Sequence, residues 1–464
     1  MSTAAQRFAA FTSSLAIEDI PEEVLEAAKL HVLDTFGTGL AAHGLDVGDY
    51  ARATVVEPGV TGPATVVGVD GGVPAADAAL ANGTIFHALD FDDTHSGAVA
   101  HVSVAVVPAA LAVAETHGAA GAELLTAIVA DNEVVIRLGL MAGAGFHARG
   151  FHPTAVCGVF GAATAAAKLS GLTAEQTTNA LGIAGSMAAG LLEFLADGSA
   201  TKRLHPGWAA HSGIMAARLA QHGATGPATV FEGRFGFYRA YLDRPDVDLE
   251  PQLADLGERW ETPQIAFKPF PACHYIHASL DATRELLAEE AIAAADVEEI
   301  VAISTEAGVS LVLEPLDRKL TPASEYEAKF SLPYSVAALL VHGTVDVGTY
   351  TDAAIADRAV LDLAAKVSYE VKEYDTFPRS FPGGIRITTR DGRVREAELR
   401  HQRGGPDNPM SAQEVIEKFR TNAAFALDAG AIEQFEAAVL GLEDQADLGA
   451  ARALGNAARQ EVPV

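Results

Sequence analysis

The stretch Glu261-Thr-Pro-Gln-Ile-Ala-Phe-Lys-Pro-Phe-Pro271 separates two kinds of sequence pattern. Prolines are frequent in it, and proline interrupts both helices and central strands. Before this stretch, apolar residues recur at the three- and four-residue spacing of helices, for example over residues 21–42. After it, strand-like runs are mixed with helical ones. The stretch therefore predicts a crossing from a helical domain into a mixed domain.

The pattern beyond this crossing contains strands and then returns to helix. Four runs have the composition of strands: residues 297–304, 367–371, 385–389 and 394–399. The last two flank Asp391-Gly392, a pair typical of a hairpin turn. We therefore predict a mostly α protein, with a large all-helical domain and a smaller α+β lid domain. The expected division is 1–268 for the first part of the helical domain, 269–400 for the lid domain and 401–464 for the return to the helical domain.

The charge balance limits the classes of partner. The chain of 464 residues carries 61 acidic and 32 basic residues, a net charge of −29. A field of this sign repels nucleic acid and anionic membranes, so we expect neither as a partner. It also repels a polycarboxylate substrate, whose site must then supply local cations. With two cysteines and no leader-like apolar segment, we expect a cytoplasmic protein.

The densest polar cluster in apolar surroundings is His87-Ala-Leu-Asp-Phe-Asp-Asp-Thr-His95, followed by His101. On a helix, His87, Asp90 and Thr94 would share one face. So many titratable groups between apolar helices indicate a functional site. One alternative is that the carboxylates only cap the next helix.

Metal binding is a second alternative for this cluster, because carboxylates and imidazoles at close spacing can hold Mg²⁺ or Zn²⁺. The ligands of such a metal-dependent enzyme would be Asp90, Asp92, Asp93 and His95. Other metal signatures, such as His-Glu-x-x-His or paired Cys-x-x-Cys, are absent from the sequence. We therefore favour a site that acts without metal.

Cations and imidazoles recur in three further segments, 145–154, 198–208 and 267–277. Segments 145–154 and 198–208 precede helical patterns, and the free amide groups at a helix start favour anions. Segment 267–277 lies at the domain crossing, where ligand clefts tend to form. The side chains concerned are His152, Lys202, Arg203, His205, Lys268 and His274. A fifth segment, 325–334, offers Tyr334 as a donor to a substrate oxygen, or else as an ordinary core tyrosine.

Together these segments, in this order, resemble the MmgE/PrpD family, which includes 2-methylcitrate dehydratase, cis-aconitate decarboxylase and iminodisuccinate epimerase. The resemblance covers nearly the whole chain. The segments that carry it are His87-Ala-Leu-Asp-Phe-Asp-Asp-Thr94, Gly150-Phe-His-Pro-Thr154, Thr201-Lys-Arg-Leu-His-Pro-Gly207 and Ala328-Lys-Phe-Ser-Leu-Pro-Tyr334.

The resemblance implies a homodimer without a cofactor, whose active site lies in a cleft between a helical domain and a lid. The catalytic residues that it implies are Asp90, Thr94, His101, His152, Lys202 and Tyr334. The expected substrate-binding residues are Lys268, His274, Arg203 and His205. Two places depart from the family pattern. Residues 94–101 lack the family's His-Pro-Ser, and Cys273 lies where the decarboxylase has histidine.

These observations lead to a functional hypothesis. Loss of a proton or of CO₂ beside a carboxylate leaves a carbanion, which Lys202 and Lys268 would stabilise. His101 would transfer the proton, because imidazole titrates near working pH. We expect a metal-independent lyase that dehydrates a small hydroxy-polycarboxylate such as 2-methylcitrate or citrate. Decarboxylation, epimerisation and a non-catalytic dimeric binding protein are the other candidates.

Overall fold

A computed structural model describes residues 2–242, 244 and 247–457. The chain is mostly α-helical with a smaller α+β portion, as predicted. The first α-helices are α1 (Ala4–Ser14), α2 (Glu22–Gly44), α3 (Asp49–Val55), α4 (Ala75–Phe86), α5 (Ser103–His117), α6 (Gly121–Ala142), α7 (Gly145–Ala148), α8 (Pro153–Leu169), α9 (Ala174–Ala184), α10 (Thr201–Gln221), α11 (Phe237–Leu242) and α12 (Glu250–Leu253). A two-stranded ribbon, β1 (Ala64–Thr65) and β2 (Gly72–Val73), lies between α3 and α4.

Local signals set several helix starts. Helix α8 begins with Pro153 in its first turn, where a missing amide hydrogen costs nothing. Helix α9 begins with a capping box between Thr173 and Gln176, which the sequence pattern predicts. Small residues then allow close packing. A side chain on Gly207 of α10 would come within 2.3 Å of the Leu80 carbonyl oxygen on α4.

The mixed portion of the chain has its own hydrophobic cluster. Its elements are α13 (His274–Glu289), β3 (Val297–Ser304), α14 (Glu306–Gly308), α15 (Leu316–Leu320), α16 (Glu325–Ala328), α17 (Leu332–His342), α18 (Arg358–Ala364), β4 (Val367–Val371), β5 (Gly383–Thr389) and β6 (Val394–Leu399). The sheet order is β4-β3-β5-β6, with β3 parallel to β4 and the other neighbours antiparallel. All four strand predictions and the hairpin are confirmed.

The last helices, α19 (Ala412–Ala423), α20 (Ala429–Leu440) and α21 (Gly449–Ala453), return to the helical portion. Phe419 and Phe435 lie in the same hydrophobic cluster as Phe36 and Phe86 from the first helices. The exact domain limits stay predictions, and residues 458–464 of the expected return lie outside the described residues. Within the described part of the chain, no helix combines the length and apolarity needed to cross a membrane.

Two local predictions about helices are wrong. The polar cluster after residue 86 is not helical, because α4 ends at Phe86 and Asp90 adopts a left-handed φ of 53°. Aspartate tolerates this conformation better than most residues. In contrast, the basic segment predicted as a loop before a helix at residue 209 is already helical, because α10 begins at Thr201. Pro206-Gly207 resembles a helix start, but both residues lie inside α10, where Gly207 packs closely against α4.

Candidate active site

Asp90 is the centre of a buried group of charges. Its Oδ1 accepts hydrogen bonds from Nζ of Lys202 at 2.8 Å and from Nζ of Lys268 at 3.0 Å. The Lys268 ammonium also donates to the Asp90 carbonyl oxygen at 2.9 Å. Lys202 comes from the first turn of α10, and Lys268 comes from the crossing segment. Two distant parts of the chain thus supply two cations to one carboxylate.

The charges around Asp90 set its protonation. Burial disfavours the ionised carboxylate, but the ammonium groups of Lys202 and Lys268 outweigh burial and hold the pKa of Asp90 well below its usual range. Asp90 therefore carries a negative charge at neutral pH. Its Oδ2 and the Thr94 hydroxyl are buried without a partner among the described residues.

A β-bridge and two hydrogen bonds connect the loop that carries Asp90 to other parts of the chain. Thr94 forms an isolated β-bridge with Ala266, just before Lys268. The Asp93 carboxylate accepts from the Ser103 hydroxyl at 2.5 Å, at the start of α5. Lys418 of α19 donates to the Phe91 carbonyl oxygen at 2.8 Å. The loop therefore takes its shape from contacts with the crossing and with the returning helices.

Asp92 lies between two histidines. Its carboxylate accepts from Nδ1 of His87 at 2.9 Å, and its Oδ2 lies 2.8 Å from Nδ1 of His101. Nε2 of His101 is directed to the other side, 3.7 Å from Oδ1 of Asp90. A carboxylate at Nδ1 favours the tautomer with its proton there, which leaves Nε2 of His101 as an acceptor. Burial, together with Lys268 and Lys202, lowers the pKa of His101 to about 4 despite Asp92.

A second histidine pair adjoins the first. Nδ1 of His152 lies 3.0 Å from Nδ1 of His205, a distance at which one ring donates to the other. The His152 ring is also 5.9 Å from the rings of His87 and His101, centre to centre. His152 is the residue before α8, and His205 lies in α10.

Asp90, His101, His152 and the two lysines face a cavity of about 540 Å³ between the two portions of the chain. Its lining combines polar and apolar side chains, as is typical of small-molecule sites. The polar lining residues are Asp90, Thr94, His101, His147, His152, Lys202, Lys268, Cys273, His274 and Tyr275. The apolar lining residues are Val99, Leu192, Phe194, Leu195, Leu311, Phe330 and Phe381.

The structure brings together seven of the ten residues predicted for the site. They are Asp90, Thr94, His101, His152, Lys202, Lys268 and His274, which all line the cavity. Both ring nitrogens of His274 are buried without a partner among the described residues. His205 contacts His152 behind the cavity wall.

The other two predicted residues lie elsewhere. The Tyr334 hydroxyl donates to the Thr349 carbonyl oxygen at 2.7 Å, within the core of the mixed portion. Tyr334 is therefore the core tyrosine that the sequence pattern gave as the alternative. Its side chain, on α17, belongs to the hydrophobic cluster of the mixed portion. Arg203 is paired with Glu325, and its guanidinium lies 4.6 Å from the centre of the Tyr326 ring. Its charge is therefore satisfied away from the cavity.

The sequence pattern did not predict His147 or the apolar lining residues of the cavity. It also did not predict that Asp92 lies between His87 and His101. His147 stands in Gly145-Phe-His-Ala-Arg149, five residues before His152, and this proximity was the available signal. The apolar lining residues, such as Phe194, Leu311 and Phe330, could not be predicted, because in the sequence they look like ordinary core residues. Asp92 was missed because a helical reading of the loop directs it away from His87.

The site can also be tested for a metal ion. His87, Asp90, Asp92 and His101 have potential ligand atoms within 4.8 Å of one another. A divalent ion on Asp90 would lie beside the ammonium groups of Lys202 and Lys268, and like charges at such spacing repel. The ligand set expected from sequence is not assembled, because Asp93 contacts Ser103 and His95 contacts Glu261. At Asp90, the lysine pair rather than a metal ion fits the described groups.

Comparison with known proteins agrees with this architecture. The MmgE/PrpD N-terminal domain model matches residues 6–250, and the MmgE/PrpD C-terminal domain model matches residues 270–444. The chain is 31% identical to human cis-aconitate decarboxylase, over 95% of this chain and 92% of the relative. It is 30% identical to cis-aconitate decarboxylase of Aspergillus terreus, over 94% and 93%. It is 28% identical to the cis-aconitate decarboxylase-like protein oryM of Aspergillus oryzae, over 94% of each chain. The chain belongs to the MmgE/PrpD family.

Proposed function

We propose that this protein is a lyase that removes CO₂ from a small unsaturated polycarboxylate, with cis-aconitate as the first candidate. The observation that carries the proposal is the pair of lysines, Lys202 and Lys268, on a cavity lined by histidines. The protein as a whole has a net charge of −29. A polyanionic substrate therefore needs local cations, and these two side chains supply them.

The cavity offers several groups to a polycarboxylate. The two ammonium groups share one carboxylate, that of Asp90, so one positive charge remains for the substrate. The Thr94 hydroxyl and the nitrogens of His274 have no partner among the described residues and line the same space. Burial lowers the pKa of His274 well below its usual range, so this ring binds as a neutral hydrogen-bonding group.

Loss of CO₂ from the substrate leaves an electron pair on carbon. Lys202 and Lys268 stabilise the developing charge in a buried site, where electrostatic interactions are stronger than in water. The carbon then needs a proton. His152 and His101 both line the cavity and are the candidate donors. His101 with its free Nε2 suits proton acceptance, so we assign the donation to carbon to His152.

The relatives favour decarboxylation over dehydration. Three of them carry cis-aconitate decarboxylase in their names and align with more than nine tenths of this chain. Dehydration of 2-methylcitrate, the reaction expected from the sequence, becomes the second candidate. The same lysines would stabilise the carbanion in either reaction.

Proton NMR in D₂O with citrate, 2-methylcitrate, cis-aconitate and iminodisuccinate tests the proposal. We expect cis-aconitate to lose CO₂ and to give a product with deuterium on carbon. Vinyl signals from 2-methylcitrate alone would establish the dehydratase instead. Exchange at carbon in iminodisuccinate alone would establish an epimerase. Silence with all four acids, together with thermal stabilisation by one of them, would indicate a binding protein.

A second arm of the same assay tests the role of metal. The protein is dialysed against EDTA and assayed with cis-aconitate before and after addition of Mg²⁺ or Zn²⁺. We expect full activity after dialysis, because Lys202 and Lys268 provide the positive charge. Activity that is lost to EDTA and restored by either ion would refute a metal-independent mechanism.

A further inference from the structure

The contact between His152 and His205 connects the cavity to a residue outside it. His152 lines the cavity, whereas His205 lies behind the wall, and their Nδ1 atoms are 3.0 Å apart. Both side chains are buried, with 2% and 7% of their surfaces exposed. An Nδ1-to-Nδ1 contact requires that one ring donate and the other accept, so the two rings hold opposite tautomers at this atom.

The surroundings of the pair contain rings and one cation. His87 and His101 face His152 at 5.9 Å between ring centres, and Phe194 faces His205 at 6.1 Å. Lys202 is one α-helical turn before His205 and acts on both imidazoles. No carboxylate appears among the groups that shift either histidine in the described structure. Neither ring therefore has an anionic partner of the kind that would hold it as an imidazolium.

We propose that His205 passes protons to His152, so that the pair forms a two-imidazole relay from the exterior to the reacting carbon. The inference rests on the proposed decarboxylation. Replacement of a carboxylate by hydrogen consumes one proton in each turnover, whereas dehydration and epimerisation consume none. A decarboxylase on this scaffold thus requires a route by which protons enter the cavity while the substrate fills it.

The relay step moves one proton from solvent to carbon. The bond between carbon and the leaving carboxyl group breaks, CO₂ departs, and the electron pair stays on carbon. That carbon takes the proton from Nε2 of His152, and Nδ1 of His152 takes the proton from Nδ1 of His205. Nε2 of His205 takes a proton from solvent. Both rings begin and end this transfer neutral, with their tautomers exchanged. After the product leaves, a proton from the open cavity adds to Nε2 of His152, the proton on its Nδ1 returns to Nδ1 of His205, and Nε2 of His205 releases a proton to solvent, which restores the starting tautomers.

The low pKa values of the two histidines favour transfer of a proton through the pair over retention of a proton on either ring. Burial, with His205 and Lys202 nearby, lowers the pKa of His152 well below its usual range. Burial, with His87 and Lys202 nearby, lowers the pKa of His205 to about 4. At neutral pH neither ring keeps an extra proton between turnovers. A proton used at carbon must therefore be replaced through the Nδ1 contact.

The test uses His205→Ala and His205→Asn in the full chain, assayed by CO₂ release from cis-aconitate. The asparagine variant retains a hydrogen-bonding group but cannot relay a proton. We expect kcat to fall about 10²-fold or more in both variants, the usual size of a proton-transfer contribution, with little change in KM. His211→Ala is the matched control, because His211 lies on the same helix, beside the exposed Trp208, and outside the cavity.

Chemical rescue separates a relay from a structural role. In His205→Ala we expect imidazole to restore activity and 1-methylimidazole, which has no N–H, to leave it low. Wild-type rates in both variants, equal rescue by the two compounds, or loss of activity without rescue by imidazole would each overturn the relay. Failure of the proposed function is distinct, because the wild-type protein would then release no CO₂ from cis-aconitate.

Discussion

Nδ1 of His101 lies 2.8 Å from Oδ2 of Asp92, a carboxylate with no exposed surface. The same carboxylate accepts from His87, so one charge orients two imidazole rings. The arrangement keeps Nε2 of His101 free on the cavity side. Asp92 thus positions an imidazole of the cavity lining without lining the cavity itself.

Asp92→Asn is expected to lower kcat by about 10²–10⁴-fold, because an amide that donates to Nδ1 favours the wrong tautomer of His101. We expect the acid limb of the wild-type kcat/KM profile near pH 4 and that of Asp92→Asn at lower pH, because Asp92 raises the pKa of His101. Asp362→Asn, at an exposed ion pair, is the control. An unchanged rate and profile in Asp92→Asn would contradict this role.

Lys202→Met and Lys268→Met remove the cations from the cavity one at a time. We expect kcat/KM for cis-aconitate to fall by about 10²–10³-fold in each, the range found when one stabilising donor is removed from an active site. The loss should be smaller for a dicarboxylate analogue, which needs less positive charge. Lys372→Met serves as the control, because that lysine pairs with Glu398 on the exposed surface. Equal losses for substrates of different charge would argue against electrostatic binding.

Lys418 supports the site loop from a helix near the other end of the chain. Its ammonium donates to the Phe91 carbonyl oxygen and lies 2.7 Å from Asp34. Lys418→Met leaves Asp34 buried without its cation, so we expect a loss of about 3–5 kcal/mol in the free energy of unfolding. Asp34→Leu combined with Lys418→Met should recover part of that loss. Chemical denaturation of the three variants measures it, and a double variant less stable than Lys418→Met would contradict the pairing.

His277 allows a test of pH dependence apart from the cavity. Burial lowers its pKa to about 3, so the unfolded chain binds a proton at this residue below pH 6.5 while the folded chain does not. Stability is therefore lost as pH falls from about 6.5 towards 3. His277→Asn should reduce the slope of unfolding free energy against pH there by up to about 1.4 kcal/mol per pH unit. An unchanged slope between pH 4 and 6 would refute this assignment.

Much of the site was visible in the sequence, because charged side chains are rare in its apolar segments. Lys202, Lys268 and His152 were found in this way, and the structure places all three on one cavity. The partner of a side chain was harder to predict. His205 was expected at the substrate, but it contacts His152 instead, since which face of α10 meets the cavity depends on packing of Gly207 against α4.

The fold was predicted where the local pattern and the packing agree. Strands β3 and β4 follow their patterns, and the Asp391-Gly392 turn forms the hairpin. The loop after α4 was misjudged, because the left-handed Asp90 is stabilised by Lys202 and Lys268, which are more than a hundred residues away. A periodicity argument considers only neighbours in sequence and cannot include such partners.

The fastening of the loop by Lys268 and Lys418 has a consequence for synthesis and folding. When residue 90 leaves the ribosome, the lysines that neutralise and orient its loop have not yet been made. The contact between this loop and Lys418 can form only after residue 418 has been made. A chain that ends before residue 418 therefore lacks one of the contacts that hold this loop in place at the cavity.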